Sequence, residues 1–170
     1  MTKVADAVGM FLKNHVGHVF CISGGASLHV IHGLVNAGVD IVCPQNEQAA
    51  SFQADIYARI RGLGCALATS GPGATNLLTG IATSYYDSVP VLYITGNQTR
   101  ERFNSYGTRQ YGFQCTPIVD IVRPITKYAV TIMEADQVIP EFEKAIAIAK
   151  QGRQGPVLID LPDDVQRMQI

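Results

Sequence analysis

Residues 64–95 read GCALATSGPGATNLLTGIATSYYDSVPVLYIT, and the order of properties along them decides the fold. Gly64 to Thr69 is a short apolar run, and Ser70-Gly71-Pro72-Gly73 stops it with turn residues. Ala74 to Tyr86 then reads as a helix, and Pro90 to Thr95 is a second apolar run. Strand, helix, strand is a βαβ unit, in which the two strands run parallel. Strands buried on both faces read as nearly continuous apolar runs, as both of these do.

The same alternation continues outward. On the N-terminal side, Glu47 to Arg61 is an alanine-rich helix stopped by Gly62, preceded by an apolar run from Asp40 to Pro44. Before that, Ser27 to Ala37 reads as a helix closed by Gly38, since glycine readily takes the left-handed conformation that ends helices. His18 to Ile22 reads as a buried strand ended by Gly24-Gly25. Val4, Ala7, Val8, Phe11 and Leu12 recur at helical spacing behind Thr2, a candidate N-cap. On the C-terminal side, residues 96–115 form a long polar and aromatic loop. Thr116-Pro117 looks like a cap with proline at the first helical position. Lys127 to Ile132 is a fifth strand, Asp136 to Lys150 a helix, and Pro156 to Leu161 a sixth strand. The expectation is one three-layer α/β/α domain over residues 1–170, with a six-stranded, mainly parallel sheet and right-handed crossovers.

Composition agrees. Of 170 residues, 47% are apolar and 16% charged, which supports a full core and excludes a disordered chain. Thirteen Lys and Arg stand against fourteen Asp and Glu, so no basic surface for nucleic acid is expected. No run approaches the ~18 apolar residues of a membrane span. The amphipathic N-terminus, with Asp6, does not read as a secretory signal, and a cytoplasmic location is expected. Cys21, Cys43, Cys65 and Cys115 lack CxxC spacing. The first three fall in apolar runs, so they read as small hydrophobes rather than disulfides or zinc ligands. His29 and His32 share a helix face but have no third ligand nearby in sequence, so no metal site is expected in this chain.

In open parallel sheets ligands bind beyond the carboxyl ends of the strands. Three polar turns arrive there: Ser23-Gly24-Gly25, Asn46-Glu47-Gln48 and Ser70 to Asn76. The last lacks the GxGxxG and GxxxxGK[ST] patterns, so residue spacing leaves both a plain strand-to-helix turn and a phosphate site open. Glu47 alone could simply complement a helix dipole. Arg100, Arg102 and Arg109 interleave with Phe103, Tyr106 and Tyr111, a composition suited to packing on another domain or subunit.

Taken together, VFCISGGASLHVIHGL, NEQAASFQADIYAR, TSGPGATNLLTGIATSYYDSVPVLYITG, the Phe113-Gln114 pair and GPVLIDLPDDV give a family resemblance. The chain resembles the pyrimidine-binding domain of thiamine-diphosphate enzymes, in particular acetolactate synthase and its relatives. The resemblance implies the thiamine-diphosphate-binding fold and decarboxylation or carboligation of a 2-oxo acid. It matches Glu47 to the glutamate that hydrogen-bonds the aminopyrimidine ring and, in a water-poor pocket, shares a proton with it. It matches Gln114 to a glutamine reaching into the active site. Ser23, Gly24 and Gly25 match the loop beside the reacting carbons, and Ser70, Pro72 and Asn76 the turn lining the pyrimidine pocket.

Three departures fall on substrate-facing ground: Asn46 where relatives often have histidine, Ile22-Ser23 where they have tyrosine and proline, and a longer loop between Gly96 and Gln114. Magnesium and the diphosphate are held in this family by a second domain with a Gly-Asp-Gly motif, and no Gly-Asp-Gly occurs here. The chain therefore reads as half of an active site, as a fragment or a split subunit, and is expected to be inactive alone and to form a homodimer. FAD is compatible with the resemblance, but no residue indicates it. A non-catalytic binding module and a generic nucleotide-binding domain are the competing readings.

Overall fold

The computed structural model describes residues 1–104, 108–110 and 112–170, the side chain of Asn104 excepted. Among them six strands form one parallel sheet: β1 (His18–Cys21), β2 (Asp40–Val42), β3 (Gly64–Ala68), β4 (Val91–Asn97), β5 (Tyr128–Thr131) and β6 (Val157–Pro162). Their order is β2-β1-β3-β4-β6-β5. Helices α1 (Val4–Lys13), α2 (Leu28–Ala37) and α7 (Val138–Lys150) cover one face. Helices α3 (Glu47–Arg61), α5 (Leu78–Tyr86) and α6 (Ile118–Val122) cover the other. The three-layer α/β/α expectation holds.

Side chains alternate across the sheet between two cores. Cys65, Leu67, Leu92, Ile94, Val157 and Ile159 face the α1/α2/α7 layer. Ala66, Ala68, Val91, Tyr93 and Leu158 face the α3/α5/α6 layer. Both sets are buried, which is why the strands read as unbroken apolar runs. The second core is built largely from alanine, with Ala50, Ala54 and Ala58 of α3 against Ala66 and Ala68. Small side chains let α3 lie close: a Cβ on Gly64 would stand 2.0 Å from the Ala54 carbonyl oxygen, and one on Gly80 only 1.9 Å from Ser51 Oγ. Helix α3 is thus wedged between β3 and α5, which sets the position of its first residue, Glu47.

A charged side chain, Asp55, is buried against α5. Asp55 accepts hydrogen bonds from Ser84 Oγ (2.7 Å) and Arg59 Nε (2.6 Å), and Arg59 also reaches Asp87 at 2.6 Å. Removing Asp55 would leave the Ser84 hydroxyl, which also meets the Tyr93 hydroxyl at 2.9 Å, without its carboxylate acceptor.

Several local expectations are corrected. Thr2 does not cap α1: its backbone pairs with Ile170 (N–O 2.8 and 2.9 Å), Lys3 stands at the N-cap, and no side chain caps the helix. The single helix expected over Ala74–Tyr86 is two, α4 (Pro72–Asn76) and α5. They are broken at Leu77, whose N–H bonds Ala74 rather than continuing the α pattern. Helix α6 begins after Pro117, which occupies the cap itself. A short helix, α8 (Asp163–Arg167), follows β6 and was not foreseen. Cys43 lies just beyond β2 and is exposed, while Cys21, Cys65 and Cys115 are buried. No described helix is long and apolar enough to cross a membrane.

Candidate functional site

The carboxyl ends of β1, β3 and β4 carry three turns that meet. Thr69, the residue after β3, is where they converge. Its Oγ1 accepts a hydrogen bond from the Ala26 N–H at 3.3 Å. A Cβ on Gly24 would lie 2.4 Å from Thr69 Cβ, and one on Gly73 would lie 2.8 Å from Thr69 Cγ2. The glycines therefore answer a packing need: the turn after β1 and the first turn of α4 both press on one threonine. Sequence reading passed over Thr69 because it closes an apolar strand and looks like strand propensity alone.

Glu47 opens α3. The side chain of the preceding Asn46 caps the helix, accepting from the Gln48 N–H at 2.7 Å. The half-buried Glu47 carboxylate accepts from Asn76 Nδ2 at 2.9 Å. Its other oxygen lies 3.4 Å from the place a Cβ of Gly73 would occupy. Glu47, Asn76 and Gly73, drawn from two of the three predicted turns, thus form one contact group beside Thr69.

The third component is Gln114. It sits in the left-handed region (φ 55°), as does Gly71 (φ 61°). The two are in contact, because a Cβ on Gly71 would come within 2.5 Å of the Gln114 carbonyl oxygen. Gly25, Thr69, Ser70, Asn97 and Gln114 all line a cleft of about 380 Å³, inside the range of roughly 300–1,000 Å³ usual for ligand pockets.

The structure thus gathers Gly25, Ser70 and Gln114 around this cleft, with Gly24 packed on Thr69 beneath it, and Glu47 and Asn76 joined to it through Gly73 and Thr69. Ser23 and Pro72 are exposed on its turns. For Ser23 no contact ties it to the cleft, and Pro72 serves as the first residue of α4.

The loop after β4 is tied down within the chain. Arg100 donates to Asp164 through both its backbone N–H (3.0 Å) and Nε (2.8 Å), and to the Met133 carbonyl at 2.6 Å. Burial pushes the Asp164 carboxyl up, but the Arg100 guanidinium outweighs it and holds the carboxyl below its ordinary range. Tyr106 and Tyr111 lie outside the described residues. His29 sits 3.0 Å from Lys3 Nζ and 3.7 Å from Asp163. Among the described residues no three His, Cys, Asp or Glu cluster as metal ligands.

Two polar residues at strand ends belong to the surroundings of the cleft. Asp160, on β6, is fully buried and accepts from Thr95 Oγ1 (2.7 Å), Asn97 Nδ2 (2.7 Å) and Thr131 Oγ1 (3.0 Å). Burial pushes its carboxyl up to about 6, against the pull of those three donors. A second cavity of about 410 Å³ lies on the other side, lined by Asp120, Arg123, Thr131 and Asp160 among others.

Residues 2–121 match the family described as thiamine pyrophosphate enzyme, N-terminal TPP binding domain. The chain belongs to that family. It is 41% identical over 168 residues to the chloroplastic acetolactate synthase of Arabidopsis thaliana, covering 97% of this chain and 24% of that protein. It is 40% identical over 157 residues to the chloroplastic acetolactate synthase 2 of Nicotiana tabacum, covering 91% of this chain and 23% of that protein. It is 41% identical over 165 residues to the acetolactate synthase large subunit of Haemophilus influenzae, covering 94% of this chain and 28% of that protein. The chain spans about a quarter of the length of these relatives, and it is an N-terminal domain of acetolactate synthase-like type.

Proposed function

We propose that this domain is the pyrimidine-binding half of a thiamine-diphosphate-dependent 2-oxo-acid decarboxylase or carboligase, with Glu47 as the residue that activates the cofactor. The observation that carries the reading is the Glu47 carboxylate, fixed at the start of α3 by Asn76 and abutting the glycine turn that edges the cleft. The residues fit the group. Asn76 meets only one oxygen of the Glu47 carboxylate, and the neighbouring cleft has the volume of a ring-sized ligand. Glu47 would hold a proton against a ring nitrogen, with Asn76 fixing which oxygen is free to do so. Ser70, Pro72 and Asn76 would line the pyrimidine side, while Ser23, Gly24, Gly25 and Gln114 would face the substrate. When bound, the cofactor supplies the electron sink for loss of carbon dioxide, while the protein supplies binding and orientation.

Magnesium and the diphosphate would be held by a separate domain of the family's second type, so this domain alone binds the cofactor weakly and turns over no substrate. Calorimetry of the 170-residue chain with thiamine diphosphate and Mg²⁺ tests this. The expected result is little or no heat of binding, and submicromolar, Mg²⁺-dependent affinity would overturn the half-site reading.

The partner surface follows from exposed apolar side chains on the helix that carries Glu47. Phe52, Ile56 and Ile60 of α3 form an open groove with Phe20 and Tyr57. Apolar patches of this kind mark interaction sites. The proposed occupant is a second copy of this domain in a homodimer. Sedimentation of the chain is expected to show a dimer, and a monomer at high protein concentration would overturn that assignment.

A further inference from the structure

Gln114 has a backbone conformation that side-chain-bearing residues seldom adopt (φ 55°). Such conformations persist where surrounding contacts over-determine them. Both of its neighbours in sequence are tied to the end of β4. The Phe113 carbonyl accepts from Gln98 Nε2 at 2.7 Å, and Cys115 Sγ donates to Asn97 Oδ1 at 3.5 Å. Asn97 Oδ1 also accepts from the Gln98 N–H at 2.8 Å. The orientation of the Asn97 amide is in turn fixed from behind, because its Nδ2 donates to Asp160 at 2.7 Å. Asn97 and Asp160 are 3% and 1% exposed, so their hydrogen bonding is chiefly to each other and to neighbouring protein groups.

We propose that Asp160 and Asn97 are positioning residues for the active site, acting through Gln98 and Cys115 to hold Gln114 in the cleft and against Gly71. This rests on the function proposed above, in which Gln114 faces the substrate. Asp160 does not itself line the cleft, which it reaches only through Asn97, and it is not a catalytic residue. Its two carboxylate oxygens are acceptors only, so it selects the one orientation of the Asn97 amide that leaves Oδ1 pointing toward Cys115 and the Gln98 N–H. A residue that could donate there would let the amide turn over and release both tethers.

The test is a polarity exchange in the holoenzyme. Asn97→Asp sets two carboxylates against each other across a 2.7 Å contact. Combining it with Asp160→Asn restores one donor and one acceptor, reversed, while Thr131, which shares that Asp160 oxygen with Asn97, turns its hydroxyl to accept. Asn97→Asp is expected to lower kcat by about 100-fold, the scale of an ångström-sized misplacement. Cofactor affinity should change little, and amide hydrogen exchange at Phe113 to Cys115 should lose its protection. The double variant is expected to recover both kcat and protection. Gln98→Ala, a change in a partly exposed side chain that should fold in any case, is expected to give the same two losses in weaker form. Unchanged kcat and unchanged protection in Gln98→Ala, or a double variant no better than Asn97→Asp, would overturn the proposal. Protection lost and then restored by the double exchange, in a protein that does not respond to thiamine diphosphate, would uphold the positioning and overturn the function instead.

Discussion

Glu47→Gln in the holoenzyme is expected to fold as the native protein does and to lose activity by about 10²–10⁴-fold, the usual contribution of a general acid–base group. The substitution preserves shape. Asn46 still caps α3 through the Gln48 N–H, and Asn76 Nδ2 still finds a carbonyl oxygen at the place where it now meets Glu47. What is lost is the ionisable proton. An amide can hydrogen-bond a pyrimidine ring but cannot pass a proton to it. The loss should therefore fall on kcat and on hydrogen–deuterium exchange at C2 of the bound cofactor, with cofactor affinity changed much less. If C2 exchanges as fast in the variant as in the native enzyme, Glu47 does not activate the cofactor, and a binding module becomes the better description.

Gly71→Ala should cost several kcal/mol of stability, because strain and collision fall on the same residue. At φ 61° and ψ −118° Gly71 lies where L-residues are strained by about 1–3 kcal/mol. The new Cβ would also meet the Gln114 carbonyl oxygen at 2.5 Å and Gln114 Cβ at 2.8 Å, an overpacking that costs about 1–3 kcal/mol more. Thermal unfolding should show a fall in Tm on the order of 10 °C. Gly62→Ala is the control: it has a positive φ of 83° with nothing within 4 Å of the added atom, so it carries the strain without the collision. Equal losses in the two variants would mean that Gln114 moves freely out of the way, and would count against a rigid cleft.

The polar residues of the strands show where sequence reading stops. The order of apolar runs and helices was enough to place six strands and the covering helices, because burial on both faces leaves a one-dimensional signature. The helix over Glu47–Arg61 was placed to the residue, since Gly62 takes the left-handed cap that only the backbone at that point requires. In the strands themselves, Thr95, Asn97 and Asp160 interrupt otherwise apolar runs at their carboxyl ends. Thr95 and Asp160 were read simply as strand, and Asn97 as the start of the loop that follows, whereas β4 runs on to Asn97. The split of the helix at Leu77 had no signal, because Leu77 is as good a helix former as its neighbours and only its Ala74 bond breaks the pattern.

By itself the sequence determined the layer architecture, the family, and which turns carry unusual chemistry, because hydrophobic periodicity and glycine placement are local properties. It could not decide that Glu47 meets Asn76, residues 29 apart in the chain, nor that Thr69 is the point on which two turns close. Nor could it decide that Asp160 on the last strand governs an amide on the fourth, 63 residues earlier. Those pairings depend on strand order, β3 beside β4 and β4 beside β6. Strand order is set by how two faces of apolar surface are covered at once, and no segment of the chain holds that information alone.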